Sequence, residues 1–405
     1  AAGIKEVVKV PVIHAQNIKD PNQAQRILEG GYVDLVGMTR AHIADPHLIA
    51  KIKMGQIDQI KQCVGANYCI DRQYQGLDVL CIQNAATSRE YMGLPHIIEK
   101  SEGPKRKVVV VGGGPGGMEA ARVAAERGHD VTLFEAADQL GGQITIAAQA
   151  PQRDQIAGIT RWYQLELARL KVDLRLGTRA DEATIEDLRP DVVVLATGGQ
   201  PFLSQYPEWG YSEKAEESLV VSTWDVLSGK VAPGKNVLIY DSICEFSGVS
   251  AADYLADKGA KVEIVTDDIK PGAAVGGTTF PTYYRSLYEK EVIMTSDLML
   301  HKVYREGDAL VAVLENEYTG AMEERVVDQV VVENGVRPDE ALYYALKERS
   351  RNRGQVDLEA LYAAKAQPCL SEQGEGYLLF RLGDCTAPRN THAAIYDALR
   401  LCKDL

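Results

Sequence analysis

The thirty residues from Arg106 to Glu135, RKVVVVGGGPGGMEAARVAAERGHDVTLFE, constrain the fold more than any other stretch. Four consecutive valines, Val108 to Val111, suit a strand buried on both faces of a parallel sheet. Gly112-x-Gly114-x-x-Gly117 follows, then a helical pattern through Met118, Ala121, Val123 and Ala125 to Gly128. Val131, Leu133 and Phe134 form a second strand that ends on Glu135, 18 residues past Gly117. This βαβ unit has the build of a dinucleotide-binding turn. Gly112 makes the turn, Gly114 lets backbone approach a pyrophosphate, Gly117 lets helix close on strand, and the helix N-terminus faces the phosphate charge. Glu135 is placed to accept from ribose hydroxyls, so an adenine nucleotide or dinucleotide is expected here; a plain glycine turn is the rival reading.

At 405 residues the chain has room for two or three domains. Its net charge of −13 argues against a polyanionic partner, and no nucleic acid is expected. No apolar run approaches the ~20 residues of a membrane helix, and no secretory signal opens the chain, so no membrane partner is expected. Seven cysteines, three of them between residues 63 and 81, point to a reducing compartment and a metal centre in place of disulfides. A cytoplasmic protein is expected.

Before the glycine loop lie two βα units: strand Val10 to Ile13, helix Pro21 to Glu29, strand Val33 to Met38 and helix Asp45 to Met54. Two units cannot bury a core alone, and they read as the last two units of a (β/α)8 barrel. In such barrels the loops after strands 7 and 8 commonly bind phosphate. Here those loops carry HAQN (His14 to Asn17) and TRAH (Thr39 to His42), with Arg40 placed to form paired bonds to a phosphate or to stand as a solvated loop arginine. Cys63, Cys69 and Cys81 come next; soft thiolates in a short Gly-containing loop suit an iron–sulfur cluster or zinc, with buried structural cysteine as the rival.

Beyond a polar linker, residues 101–107, and the glycine loop, LGGQ (Leu140 to Gln143) makes another glycine turn, and Asp191 to Gly199 (DVVVLATGG) is a strand ending in small residues. Lys235 to Asp267 repeats the βαβ rhythm with a defective phosphate loop. Asp241 stands at the first glycine position, Ile243 and Phe246 fall where small residues are needed, and Gly248 comes late. Gly376 to Leu399 gives a strand, Gly383-Asp384 and a helix. Asp384 is placed to bind a flavin's ribityl hydroxyls or to cap the helix.

VPVIHAQNI, GMTRAHIADPHLIAKI, CVGANYCIDRQYQGLDVLCIQNAA, VVVVGGGPGGMEAAR, ATGG and LGDCTAPR together resemble the C-terminal two thirds of the trimethylamine dehydrogenase and 2,4-dienoyl-CoA reductase family, nearest to its N-methylproline and dimethylglycine demethylases. The resemblance implies an α/β chain: the end of a TIM barrel over 1–60, an iron–sulfur loop and connector over 61–104, an FAD- or ADP-binding domain over 105–210 plus 350–405, and a degenerate NAD-type domain over 211–349. Both later domains are of glutathione-reductase type. By resemblance Ala15, Gln16, Thr39 and Arg40 surround the FMN phosphate. Gly112, Gly114, Gly117, Glu135, Gly142, Gln143, Thr197, Gly198 and Asp384 bind FAD or ADP, and Cys63, Cys69 and Cys81 hold the cluster.

The implied activity is flavin-dependent oxidative N-demethylation of a small N-methylated amine or amino acid. Electrons pass from FMN through the cluster to a protein acceptor such as an electron-transfer flavoprotein, and the enzyme is a homo-oligomer. An NAD(P)H-dependent enoate reductase and a catalytically inactive nucleotide-binding scaffold are the alternatives. The chain departs from the family in three places. The first six barrel units, which carry the family's catalytic acid/base, are absent, so this reads as part of a longer polypeptide with its catalytic residues elsewhere. Ala66 replaces the second of four cluster cysteines, which implies a three-iron cluster or a four-iron cluster with one non-cysteine ligand. Gln73 and Tyr74 occupy the region of a cage tryptophan, which favours a more polar, zwitterionic substrate.

Overall fold

The computed structural model describes residues 1–214, 216–368 and 376–405. They form two compact units. One comprises residues 1–142, 156–197 and 340–405, and the other residues 143–155 and 198–339.

In the first unit the glycine stretch builds the centre of a five-stranded parallel sheet. Lys107–Val111 lies between Val192–Leu195 and Asp130–Phe134, with Leu378–Arg381 and Asp173–Arg175 outside them. Val108 to Val111 and Val192 to Leu195 are all buried. That two-faced burial explains why these strands are runs of β-branched residues without alternation, and each such side chain contributes about 1.5–3 kcal/mol. Helix Pro115–Glu126 starts on a proline, whose missing N–H costs nothing at a helix start. At Gly116 it meets the C-terminal helix Thr391–Cys402: a Cβ there would lie 3.2 Å from the Ala394 carbonyl.

The two barrel-type units at the start depart from expectation. The strands are Ile13–Ala15 and Leu35–Gly37, a two-stranded parallel sheet, so the first begins three residues later than the apolar run VPVI suggests. Neither is buried: Val10 is 68%, Ile13 66% and Leu35 49% exposed. A pair of strands with two open edges covers neither of its own faces, so apolar sequence alone cannot bury them here. The first helix is Pro21–Glu29, with Asp20 accepting from Asn22 N. The expected helix Asp45 to Met54 is shorter, Leu48–Lys53, because Asp45 turns its carboxylate to the backbone N–H groups of His47 and Lys61 and to Lys51.

The second unit holds a five-stranded parallel sheet, with Asn236–Asp241 at its centre between Lys261–Val265 and Gln329–Glu333, and a three-stranded antiparallel sheet, Leu298–Glu306, Ala309–Asn316 and Met322–Val327. Trp209, buried with Leu300, Leu314 and Val330, donates its indole N–H to Leu300 O at 2.9 Å. Among the described residues no helix is long and apolar enough to cross a membrane.

Candidate functional site

The glycines of the first loop differ in what surrounds them. Gly112 has φ +107°, and a Cβ there would stand 2.2 Å from Ala196 O, so this turn is open only to glycine. At Gly117 a Cβ would stand 1.8 Å from Gly112 O, the contact by which helix closes on strand. Gly114 faces open space, with nothing within 4 Å of an added Cβ, and no side chain caps the helix it begins. Unspent amides beside an open approach are what a phosphate group needs. Glu135 is already engaged, with Oε2 accepting from Gly113 N at 2.6 Å and Oε1 from Ala137 N at 2.7 Å. Each oxygen keeps a second lone pair for a ribose hydroxyl.

Other expected nucleotide residues gather near this loop. Gly142 packs its Cα side against Gly114, Gly141 N donates to Gly113 O at 2.9 Å, and Thr197 follows the Ala196 carbonyl that crowds Gly112. Asp384 accepts from Arg389 N at 3.2 Å in the turn before Asn390, whose side chain caps Ala393 N. Asp384 therefore does not itself cap the helix. Gln143 and Gly198 belong to the second unit, where Gly198 O accepts from Asp339 N.

Arg40 and the three cysteines meet in one small cavity, lined also by Ala66, Tyr68 and Gln83. Arg40 is half-buried and donates to Asn67 Oδ1 at 2.8 Å, so it is not a solvated loop arginine. Ala15, Gln16 and Thr39 lie exposed at the ends of the paired strands. Burial, then Cys63, raise the Cys69 thiol, and the Arg40 guanidinium opposes them. Burial pushes the Cys81 thiol up to about 11 against the backbone N–H groups of Gln83 and Asn84 and the charge of Lys61. Lys61, which sequence reasoning passed over, lies 4.1 Å from the Trp162 ring centroid and donates to Gln83 O; burial lowers it to about 8.

Among the described residues no group of three or more His, Cys, Asp or Glu side chains is arranged to hold a single ion. Ligands on one zinc stand within about 4.6 Å of each other, twice the Zn–S bond. A cluster spreads its thiolates around several metal atoms. Cys63, Cys69 and Cys81 line one cavity, with backbone amide donors and the cations Arg40 and Lys61 beside them, and Ala66 offers no fourth donor. Behind two of the lining residues, Tyr68 and Cys81, lies His392, 4% exposed, which the sequence did not single out. Its Nδ1 is 2.7 Å from Cys81 O, and its Nε2 is 2.7 Å from Arg89 Nη1.

The second unit's loop has the same strand-to-helix plan with a different filling. Asp241 is fully buried, and its Oδ1 accepts from Ile243 N at 3.1 Å and Cys244 N at 2.9 Å. Its Oδ2 has no partner and stands 2.1 Å from where a Gly248 Cβ would be, which is why glycine occurs at 248. Burial, then Glu333, raise Asp241 to about 7. The sequence marks this carboxylate only as standing at the first glycine position. It points inward and takes the loop amides for itself. Phe246, at the helix start, carries the Arg153 guanidinium 4.0 Å from its ring centroid.

Two nucleotide-type units, one with an open glycine loop, follow two barrel-type units and a thiol-lined cavity. Residues 106–398 match the family described as pyridine nucleotide-disulphide oxidoreductase, and residues 1–59 match the NADH:flavin oxidoreductase / NADH oxidase family. The chain belongs to the pyridine nucleotide-disulphide oxidoreductase family. It is 87% identical over 408 residues to the N,N-dimethylglycine/sarcosine dehydrogenase of Chromohalobacter salexigens, covering 100% of this chain and 59% of that protein. It is 43% identical over 405 residues to the "Probable N-methylproline demethylase" of Rhizobium meliloti, covering 100% and 58%. Among solved structures it is similar to a 2-naphthoyl-CoA reductase, with TM-score 0.82, 26% identity and coverage of 99% of this chain and 55% of that one. The chain thus spans under three fifths of the length of each of these two curated relatives.

Proposed function

We propose that this chain is the electron-handling part of an enzyme that oxidatively N-demethylates a small N-methylated amine or amino acid, of the dimethylglycine and sarcosine kind. The likeness to the dehydrogenase of Chromohalobacter salexigens supports the substrate class. The direction of electron flow rests on the second loop. Its backbone donors Ile243 N and Cys244 N are held by Asp241, and Ile243 and Phe246 fill space that a nicotinamide dinucleotide's pyrophosphate needs. That favours a dehydrogenase over an NAD(P)H-dependent enoate reductase.

Bound flavin supplies the hydride acceptance that this chemistry requires. Ala15, Gln16, Thr39 and Arg40 would hold the FMN phosphate, with Arg40 already oriented by Asn67. Gly112, Gly114, Gly117, Glu135, Gly142, Gln143, Thr197, Gly198 and Asp384 would hold FAD or ADP. Cys63, Cys69 and Cys81 would hold a three-iron cluster, or a four-iron cluster with one non-cysteine ligand. Arg40 and Lys61 would offset the negative charge of the thiolates. A protein acceptor of electron-transfer-flavoprotein type, a homo-oligomeric assembly and a cytoplasmic location complete the reading, supported by the family resemblance and by free thiols. The test is anaerobic mixing of the full-length enzyme with excess NADH or NADPH. We expect no rapid flavin bleaching by either, and bleaching on adding dimethylglycine or sarcosine; rapid bleaching by a nicotinamide alone replaces this reading with the reductase.

A further inference from the structure

The cysteines of the cavity lie on two of its three stretches of chain, residues 63–69 and 81–83, the third being Arg40 and Ile43, and one buried imidazole touches both cysteine stretches. His392 lies at the start of the C-terminal helix Thr391–Cys402, 4% exposed. Its Nδ1 reaches Cys81 O at 2.7 Å, and its ring packs 5.2 Å, centroid to centroid, from Tyr68, the residue before Cys69. The ring's tautomer follows from its partners. A guanidinium has donors only, so Arg89 Nη1, 2.7 Å from Nε2, makes that nitrogen the acceptor. The ring is then neutral, with its one proton on Nδ1, aimed at the Cys81 carbonyl. Arg89 is itself fixed, 3.9 Å over the Tyr396 ring one turn further along the same helix. The helix that carries this arrangement starts just past Asp384 and packs at Ala394 against Gly116 of the glycine-loop helix.

We infer that His392 is the positioning residue of the thiolate site: from the nucleotide-binding side of the unit it holds the Cys81 backbone and the Tyr68 ring so that Cys81 and Cys69 face one cavity. The inference rests on the reading that these cysteines hold an iron–sulfur cluster. Cys81 needs such a brace more than Cys63 or Cys69 does. Those two share a short loop with a left-handed turn at Asn67, whereas Cys81 is brought in from twelve residues further along. A backbone held through its carbonyl fixes where the thiol points, as the partners of metal ligands generally do.

The test uses full-length enzyme purified anaerobically, as wild type and as His392→Leu, His392→Asn and Arg89→Met. It reads iron and sulfide per chain, the electron paramagnetic resonance signature, bound nucleotide, and the rate of iron loss to a chelator. An asparagine amide nitrogen falls where Nδ1 stands, so His392→Asn keeps the donor that His392→Leu removes. We expect the leucine variant to keep its nucleotide, lose iron about fivefold faster, the factor carried by one net hydrogen bond, and show an altered resonance line shape. We expect the asparagine variant to return both to within about twofold of wild type. Arg89→Met, which frees the ring to take the other tautomer, should show an intermediate loss and carries the test should the leucine variant not fold. Wild-type iron loss in the leucine or methionine variant overturns the inference, and so does equal loss in the leucine and asparagine variants. Wild-type protein without iron defeats the cluster reading itself, a distinct outcome.

Discussion

The loops at 112–117 and 241–248 each leave the middle strand of a five-stranded parallel sheet and enter a helix of 12 residues, yet their chemistry is opposite. In the first, missing side chains bring backbone to backbone, at Gly112 against Ala196 O and at Gly117 against Gly112 O, and leave Gly114 facing open space. In the second, the missing side chain of Gly248 makes room for a carboxyl, and that carboxyl takes the amides. A shared fold therefore does not carry a shared ligand. What differs is whether the turn's N–H groups are still available, and one residue at the end of the strand, Gly or Asp, decides it.

The largest expected effect breaks the first loop. Gly117→Ala sets a methyl group 1.8 Å from a backbone oxygen that cannot move without reopening the turn. It should cost at least about 5 kcal/mol and abolish nucleotide retention; denaturant unfolding with wild-type stability would show the closure to be wrong.

Next in size is Asp241. Its carboxyl has a pKa raised from 3.8 to about 7 in the folded chain, so the unfolded chain ionises first as pH rises. Stability therefore falls between about pH 4 and pH 7 and levels off above, by roughly 4 kcal/mol over the window. Asp241→Asn should flatten that segment of the melting-temperature profile and leave the protein more stable at pH 8. An unchanged profile would mean that the carboxyl is not held in the buried form.

The smallest effect sharpens the comparison. Gly114 has φ −72°, which alanine adopts freely, and open space around it. Gly114→Ala should leave stability within about 0.5 kcal/mol and weaken ADP binding at least tenfold, about 1.4 kcal/mol. Calorimetric titration giving wild-type affinity would move the ligand away from this glycine.

Both loops were legible in the sequence because they are local: strand, turn and helix lie within thirty residues, and glycine or its absence states what the backbone can do. That the central strand lies in a parallel sheet buried on both faces was legible from the unalternating valine run Val108 to Val111, but the number of strands was not. The first barrel-type strand was misplaced by three residues because VPVI carries the apolar signal, while the pairing partner Leu35–Gly37 selects Ile13–Ala15. The cysteines could be found by type, but not their company. Lys61, Asn67, Arg89 and His392 carry no spacing signal, since their meaning depends on which chain segments fold together. The direction of the Asp241 side chain was equally hidden. Sequence places a carboxylate in the loop and cannot tell an outward charge from an inward one.

The bond between His392 and the Cys81 carbonyl spans 311 residues. At about 5–20 residues per second, a ribosome that has made Cys81 needs about 15–60 s more to make His392. During that interval the thiols exist without their brace, although the loop around them is complete. Until His392 is made, its ring cannot hold the Cys81 carbonyl, so on the proposed reading a cluster inserted earlier would meet an unbraced site.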